Sequence, residues 1–214
     1  MKQKCAVITG ASRGIGAAAA ERFAAGGWNL ALSCVRSRET LEELARRLHA
    51  KWGITCLTYM GDMGREEAVR EFFGRIEESF GGAGVLVNNA GISRVGLLEE
   101  MSLEEWEEVM RTNVTSDFLF ARAAIPYMLR RKSGSIINVS SVWGCVGASC
   151  EAAYSASKGA VNALTRALAK ELAPSGIAVN AVACGAVDTD MNACFSPEER
   201  QEIALKAFTC DWFL

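Results

Sequence analysis

The stretch T-G-A-S-R-G-I-G, residues 9–16, follows the apolar run C-A-V-I-T (5–9) and opens the alanine-rich segment G-I-G-A-A-A-A-E-R-F-A-A-G-G (14–27). A short apolar run, a cluster of glycines and a helix-length segment read as strand, tight turn and helix. In that setting Gly10 permits the turn, Gly14 lets backbone amides approach a pyrophosphate, and Gly16 lets the helix pack close to the strand. Phosphates would then face a helix N-terminus, where unpaired N–H groups and the macrodipole favour anions. Ser12, Arg13 and Ile15 lie in the same loop. A glycine triplet alone is weak evidence, but the first βα turn is the context the dinucleotide-binding motif requires.

Outward from that turn the alternation continues. The strand-like runs N-L-A-L-S-C (29–34), I-T-C-L-T-Y-M (54–60), G-V-L-V-N-N (84–89), S-I-I-N-V-S (135–140) and I-A-V-N-A-V-A (177–183) are separated by helix-like stretches. Those stretches run over 39–52, 65–80, from about 102 to 131, and 154–172. The strands are rich in Val, Ile and Leu and do not alternate polar with apolar, as expected when helices cover both faces of a parallel sheet. Right-handed βαβ crossovers then give an α/β, doubly wound Rossmann fold of about six parallel strands, in the order 3-2-1-4-5-6.

The end of the second strand bears on which nucleotide binds. A carboxylate there would bond the ribose 2′-OH of NAD, whereas an arginine accommodates the extra phosphate of NADP. The chain has Ser33 and Cys34, then Arg36 and Arg38, with Arg13 inside the glycine loop. NADPH is therefore favoured over NADH, although solvated surface arginines are the alternative, more so for Arg38 than for Arg13.

Composition narrows the function classes. The 214 residues suit a single NAD(P)-binding domain over 1–214, and with half of them hydrophobic the chain can bury a sizeable core and is not disordered. A formal net charge of −2 leaves no basic excess to neutralise a phosphate backbone, so no nucleic-acid partner is expected. No stretch approaches the roughly 18 unbroken apolar residues of a membrane span, and Cys5 to Ile8 is too short for the apolar core of a signal peptide. A cytoplasmic protein without a membrane partner is the expectation. The eight cysteines contain no C-x-x-C pair and the single histidine, His49, lies in a charged helical stretch, so no metal site is expected.

Tyr154 and Lys158, in Y-S-A-S-K, are an i,i+4 pair on one helical face, and Ser140 and Ser141 close the fifth strand just upstream. A free tyrosine titrates near 10, so proton transfer near neutrality needs a downward shift of about three units, roughly 4 kcal/mol of differential stabilisation. An adjacent ammonium provides part of that, and a serine hydroxyl could hold a substrate carbonyl as charge develops on its oxygen. By themselves, Tyr154 and Lys158 also fit a helix-start aromatic and a solvated lysine.

Together with N-N-A-G (88–91) and Asn113 in R-T-N-V, these motifs make the chain resemble the short-chain dehydrogenase/reductase family from about residue 4 to about 199. The resemblance implies that Tyr154 is the general acid and that Lys158 lowers its pKa and binds the nicotinamide ribose. Ser141 would orient the substrate, with Ser140 the weaker candidate, and Asn113 would hold a water in the proton relay. Asn89, Ala90 and Gly91 would support the adenine side, Asp62 in Y-M-G-D-M would contact the adenine ring, and Thr189 in V-D-T-D-M the nicotinamide carboxamide.

Within the family the chain looks most like the 3-oxoacyl-[acyl-carrier-protein] reductases. This implies reduction of a small-molecule or carrier-linked carbonyl in a homo-oligomer, expected to be a homodimer, with the helices at 103–131 and 154–173 as its interface. The segment 140–158 is also similar to the subgroup that reduces a 5-aminopentanone modification on elongation factor P. Trp143, Cys150 and Glu151 would face substrate, and Glu151 could pair with a substrate ammonium or stand as a solvated loop carboxylate.

Two departures from the family pattern carry their own expectations. Cys184-Gly185 stands where relatives carry Pro-Gly, which frees φ beside the nicotinamide. The closing residues K-A-F-T-C-D-W-F-L (206–214) do not match the family's usual segment, so the chain reads as altered or truncated after about 200, with the seventh strand missing. A truncated, inactive relative that at most binds nucleotide is the alternative of another class.

Overall fold

Runs with almost no polar side chain, such as Cys5–Ile8 and Val85–Asn88, gain most when covered on both faces, and that is where the chain puts them. The structure is a computed structural model and describes residues 4–190 together with Ser196 and Glu198. In chain order its strands and helices are β1 (Cys5–Ile8), α1 (Gly14–Ala25), β2 (Asn29–Cys34), α2 (Arg38–Trp52), β3 (Cys56–Met60), α3 (Glu66–Phe80), β4 (Val85–Asn88), α4 (Leu103–Met110), α5 (Ser116–Arg131), β5 (Gly134–Ser141), α6 (Trp143–Val146), α7 (Ala152–Leu172) and β6 (Ile177–Cys184). All six strands are parallel, in the order β3-β2-β1-β4-β5-β6. The closing stretch 206–214 and the expected loss of a seventh strand lie outside the described residues.

Each helix shows why it packs. In α3, Val69, Phe72, Phe73, Ile76 and Phe80 recur at helical spacing and are buried, while the charged positions between them face outward. Their partners across the layer are Leu119, Phe120, Ala124 and Met128 of α5, with Phe73 and Phe120 in edge-to-face contact at 5.6 Å. On the other face of the sheet, Leu41, Leu44 and Leu48 of α2 and Ala20 and Ala24 of α1 cover Ala6, Ile8, Leu30 and Leu32. Two apolar cores, one on each face, thus hold the sheet between helices.

Two features differ from the sequence expectation. The helix expected from about 102 to 131 is interrupted by one π-helical turn at Arg111–Thr115, which carries Asn113. The start of that segment is fixed by a capping box, in which Ser102 accepts from the Glu105 amide and Glu105 accepts from the Ser102 amide. A short helix, α6, also fills the link between β5 and α7 that carried no helical signal. No helix among the described residues is long and apolar enough to cross a membrane.

Candidate active site

Strand order reverses between β1 and β4, and at such a switch point the loops beyond the strand ends part to leave a crevice. The glycine loop leaves β1 there and residues 89–91 leave β4. Gly10 has φ +61°, and a Cβ on it would lie 2.9 Å from the Ala90 Cα. A Cβ on Gly16 would lie 2.5 Å from the Gly10 carbonyl oxygen and 2.6 Å from Asn89 Nδ2. Side chains at either position are therefore excluded by neighbouring backbone and by Asn89. Thr9 Oγ1 accepts from the amides of Asn89 and Ala90, each at 2.9 Å, and Asn89 Nδ2 donates to the carbonyls of Thr9 and Gly10. Asn89 and Ala90 thus act on the glycine loop by tying it to β4.

The loop's chemistry fits a dinucleotide. Helix α1 starts with no capping side chain and no acid in its first turn, in contrast to the capping box of α4, so its first amides are left for an anion. Arg13 and Arg36 are exposed beside it, and no carboxylate closes β2. Ser12, Gly14 and Ile15 lie on the same turn, and a Cβ on Gly14 would come within 3.4 Å of the Thr189 methyl, so the segment carrying Thr189 lies against the loop. Arg13 pairs with Asp190 of that segment at 3.5 Å. Asp62 accepts from the Gly64 amide at 2.9 Å and pairs with Arg111 and, at 3.6 Å, with Arg65. Its carboxylate is thereby fixed toward α3 and the turn that carries Asn113.

The second half of the site grows from β5 and α7. Ser141 closes β5 opposite Cys184 of β6, and the i,i+4 spacing in α7 puts Tyr154 and Lys158 on one face, with Lys158 Nζ 5.7 Å from the Tyr154 ring centre. The two serines part company. The Ser141 hydroxyl bonds the Tyr154 phenol and accepts from the Trp143 amide at 3.2 Å. Ser140 instead donates to Asn162 at 2.6 Å, away from the tyrosine. Lys158 is 4% exposed and donates to the Val139 carbonyl at 2.7 Å. Asn113 is fully buried: its Oδ1 accepts from the Ile92 amide at 2.8 Å, and its Nδ2 donates to the Ile92 carbonyl and to Ser157 Oγ, both at 2.9 Å. Both amide protons are spent, so a water at this side chain would have to donate to it. Asn113 and Lys158 converge, since Asn113 Oδ1 and Lys158 Nζ lie 3.4 and 3.5 Å from the point a Cβ on Gly91 would occupy.

Electrostatics in this half differ from the sequence expectation. The lysine was expected to pull the tyrosine down, yet the Tyr154 hydroxyl is pushed above its ordinary value, first by burial, against the Ser141 hydrogen bond and with the charges of Glu151 and Cys184 adding to the rise. Burial likewise pushes Lys158 below the usual lysine range, with Asp117 and then Cys184 opposing it. Near the crevice mouth Glu151 accepts from Ser93 Oγ at 2.5 Å, and Trp143 is partly buried. Cys184 is a free thiol, raised by burial and lowered by Lys158, and its carbonyl accepts from the Val142 amide at 3.0 Å.

The structure also adds residues the sequence reading did not single out. Ser157 holds Asn113, and Asp117 is a buried acid, raised by its burial and lowered by the charge of Lys158. A signal for Asp117 was present, an acid one helical turn after Asn113 and directly before the apolar run F-L-F (118–120), but a lone acid at a helix start reads equally as solvated. No group of three or more His, Cys, Asp or Glu among the described residues is placed to hold a metal.

Comparison with known proteins gives the same picture. The family model for short chain dehydrogenases matches residues 4–200. The uncharacterised oxidoreductase YmfI of Bacillus subtilis is 41% identical over 201 residues, 94% of this chain and 82% of that protein. The 3-oxoacyl-[acyl-carrier-protein] reductase FabG of Staphylococcus aureus is 40% identical over 200 residues, 94% of this chain and 81% of that protein. The crystal structure of L-sorbose reductase from Gluconobacter frateurii, complexed with NADPH and L-sorbose, superposes with a TM-score of 0.84 at 34% identity, covering 89% of this chain and 72% of that one. From the glycine loop to the end of β6, the chain belongs to the short-chain dehydrogenase family of oxidoreductases and is FabG-like within it.

Proposed function

We propose that the protein is an NADPH-dependent reductase of a ketone or 3-oxoacyl carbonyl, folded as one domain, with Tyr154 as the general acid. The observation that carries this is the convergence at the carboxyl end of the sheet of the Ser141–Tyr154 hydrogen bond and the buried Lys158 amine, beside a glycine loop with an uncapped helix start. Bound NADPH would supply the hydride that adds to the carbonyl carbon. Gly10, Ser12, Gly14, Ile15 and Gly16 would hold its pyrophosphate, Arg13 and Arg36 the 2′-phosphate, Asp62 and residues 89–91 the adenosine side, and Thr189 the carboxamide.

Ser141 then holds the substrate oxygen, and the Tyr154 hydroxyl gives its proton to that oxygen as the C–O bond gains charge. Burial, which raises Tyr154, suits this direction: the hydroxyl keeps its proton until the developing alkoxide takes it. Lys158 stabilises the resulting phenolate, and Asn113, clamped by Ile92 and Ser157, fixes the lysine's neighbourhood. The test is NADPH oxidation with acetoacetyl thioesters and simple ketones, alongside the Tyr154→Phe variant. Binding of NADPH without turnover of any such carbonyl would favour the inactive, nucleotide-binding alternative.

A second reading has its own observation. The Glu151 carboxylate is close enough to Tyr154 to raise its hydroxyl, so a negative charge stands beside the substrate mouth, with Trp143 nearby. A ketone that carries an ammonium group, such as the aminopentanone-modified elongation factor P, would gain an ion pair there that an acyl thioester lacks. Comparing modified elongation factor P with acetoacetyl thioesters as substrates separates the two readings. A homodimer in the cytoplasm completes the proposal, supported by the apolar Leu103, Phe118 and Leu129 exposed along the segment 103–131.

A further inference from the structure

Ser140 and Ser141 are neighbours at the end of β5, and the alternation of side chains along a strand sends their hydroxyls to different partners. The partner of Ser140 is Asn162, on α7 one helical turn beyond Lys158. Ser140 Oγ donates to Asn162 Oδ1 at 2.6 Å, and the Lys158 carbonyl, a second acceptor, lies farther away at 3.4 Å. The other half of the Asn162 carboxamide is used as well: its Nδ2 donates to the Gly144 carbonyl at 3.2 Å and lies 3.5 Å from Cys145 Sγ. From its place on α7, one side chain therefore holds β5 by its oxygen and α6 by its nitrogen.

The short helix α6 is pressed against α7 where Lys158 stands. A Cβ on Gly144 would lie 2.5 Å from the Lys158 carbonyl carbon and 2.7 Å from Lys158 Cβ, so glycine is what lets α6 reach the backbone of the lysine. Four residues are too few for a helix to hold itself in place. The position of α6 is set by what it leans on: the Val142 amide on the Cys184 carbonyl at its start, at 3.0 Å, and Asn162 at Gly144. Trp143, the residue before Gly144, donates its amide to Ser141 Oγ at 3.2 Å, and that hydroxyl bonds the Tyr154 phenol. With the Trp143 amide on a lone pair, the Ser141 hydroxyl keeps its proton for an acceptor in the crevice.

We infer that Asn162 is a positioning residue for the Ser141–Tyr154 pair: its carboxamide fastens α6 to α7 and β5, so that the Trp143 amide keeps the Ser141 hydroxyl facing the tyrosine. The inference rests on the reading of Ser141 and Tyr154 as the groups that meet the substrate oxygen, and adds a residue that acts through α6.

Asn162→Leu keeps a side chain of similar size, suits a helix better than asparagine and leaves Ser140 the Lys158 carbonyl as an acceptor, while both arms of the carboxamide are lost. Misplaced reacting groups lower the rate of the chemical step, so kcat for NADPH-dependent carbonyl reduction is expected to fall about tenfold with the affinity for NADPH unchanged. In hydrogen exchange, the amides of Trp143, Cys145 and Val146 are expected to exchange about tenfold faster while those of α3 keep their rates. A wild-type kcat in a variant of a turning-over enzyme would overturn the inference, as would unaltered exchange at the α6 amides. Faster exchange throughout the chain would overturn it too, because that marks a packing role alone. Should Asn162→Leu fail to fold, Asn162→Ala, shorter and the strongest helix former, is read in the same two ways. The exchange readout needs no turnover: a protein that reduces no carbonyl would sink the reductase reading, while faster exchange confined to α6 would leave the Asn162 tether standing.

Discussion

The glycine loop and the Tyr154 pocket lie at the same end of the sheet yet are made of different material. The loop is backbone: its specificity comes from places where no side chain fits, above Gly10 and Gly16, and from amides that no residue caps. Its charged groups, Arg13 and Arg36, stand in solvent. The pocket is the reverse, a set of polar side chains packed where water is scarce, with Asn113, Asp117, Ser157 and Lys158 all buried. Buried charges need partners, whereas exposed ones are held by water and screened by salt. The two halves are therefore expected to fail in different ways, the loop through shape and the pocket through charge.

The largest effect belongs to the pocket. Tyr154→Phe removes one hydroxyl and is expected to lower kcat by about 10²–10⁴-fold, the range of general acid catalysis, with NADPH affinity and the unfolding midpoint nearly unchanged. A comparable loss of NADPH binding would place Tyr154 with the cofactor and break the division. Steady-state kinetics and fluorescence titration of the same preparation decide it.

The loop's counterpart is Gly16→Ala. A single methyl would meet the Gly10 carbonyl and Asn89 Nδ2 at 2.5 and 2.6 Å, so either the loop or α1 must move. Overpacking of this kind costs about 1–3 kcal/mol, expected as a lower denaturation midpoint together with weakened nucleotide binding. Full NADPH affinity in this variant would mean that the loop is more adaptable than its contacts indicate.

These contrasts also explain what could be read from the chain alone. The loop was legible because its physics is local: a strand, three glycines and a helix start lie within a dozen residues, and the strand order follows from repeated βα units. Tyr154 and Lys158 were legible as an i,i+4 pair only beside the other motifs. The pocket's supporting layer was not, because Asn88, Asn138 and Thr165 meet across β4, β5 and α7, and their hydrogen bonds have no signature in sequence spacing. The π turn at Arg111–Thr115 was hidden for a similar reason: the periodicity on both sides of it is helical, and only the clamp on the Asn113 carboxamide distinguishes it.

Asp117 gives the pocket a pH signature that the loop lacks. Its folded-state value, about 7, lies above its ordinary 3.8, so the folded protein binds this proton more tightly than the unfolded chain. Its contribution to stability is accordingly full below about pH 4 and declines as pH rises toward 7. The urea midpoint of the wild type, measured against that of Asp117→Asn, is expected to fall across that window. A flat difference would mean that Asp117 titrates as an ordinary surface acid and that the pocket is wetter than its burial implies.

The smallest expected effect returns to the loop. Arg36→Ala removes an exposed charge proposed to face the 2′-phosphate, where a charge-assisted contact is partly screened by water and salt. A loss of about tenfold in NADPH affinity corresponds to ~1.4 kcal/mol, and NADH, which carries no such phosphate, should bind the variant as it binds the wild type. Raising the ionic strength should narrow the gap between wild type and variant for NADPH, because the contact sits in solvent. Arg13 is expected to give a smaller change of the same kind, since its guanidinium is already shared with Asp190 at 3.5 Å. Equal losses for NADPH and NADH in Arg36→Ala would mean that the arginine supports the loop's shape instead of reading the phosphate, and charge would then have no part in the cofactor half.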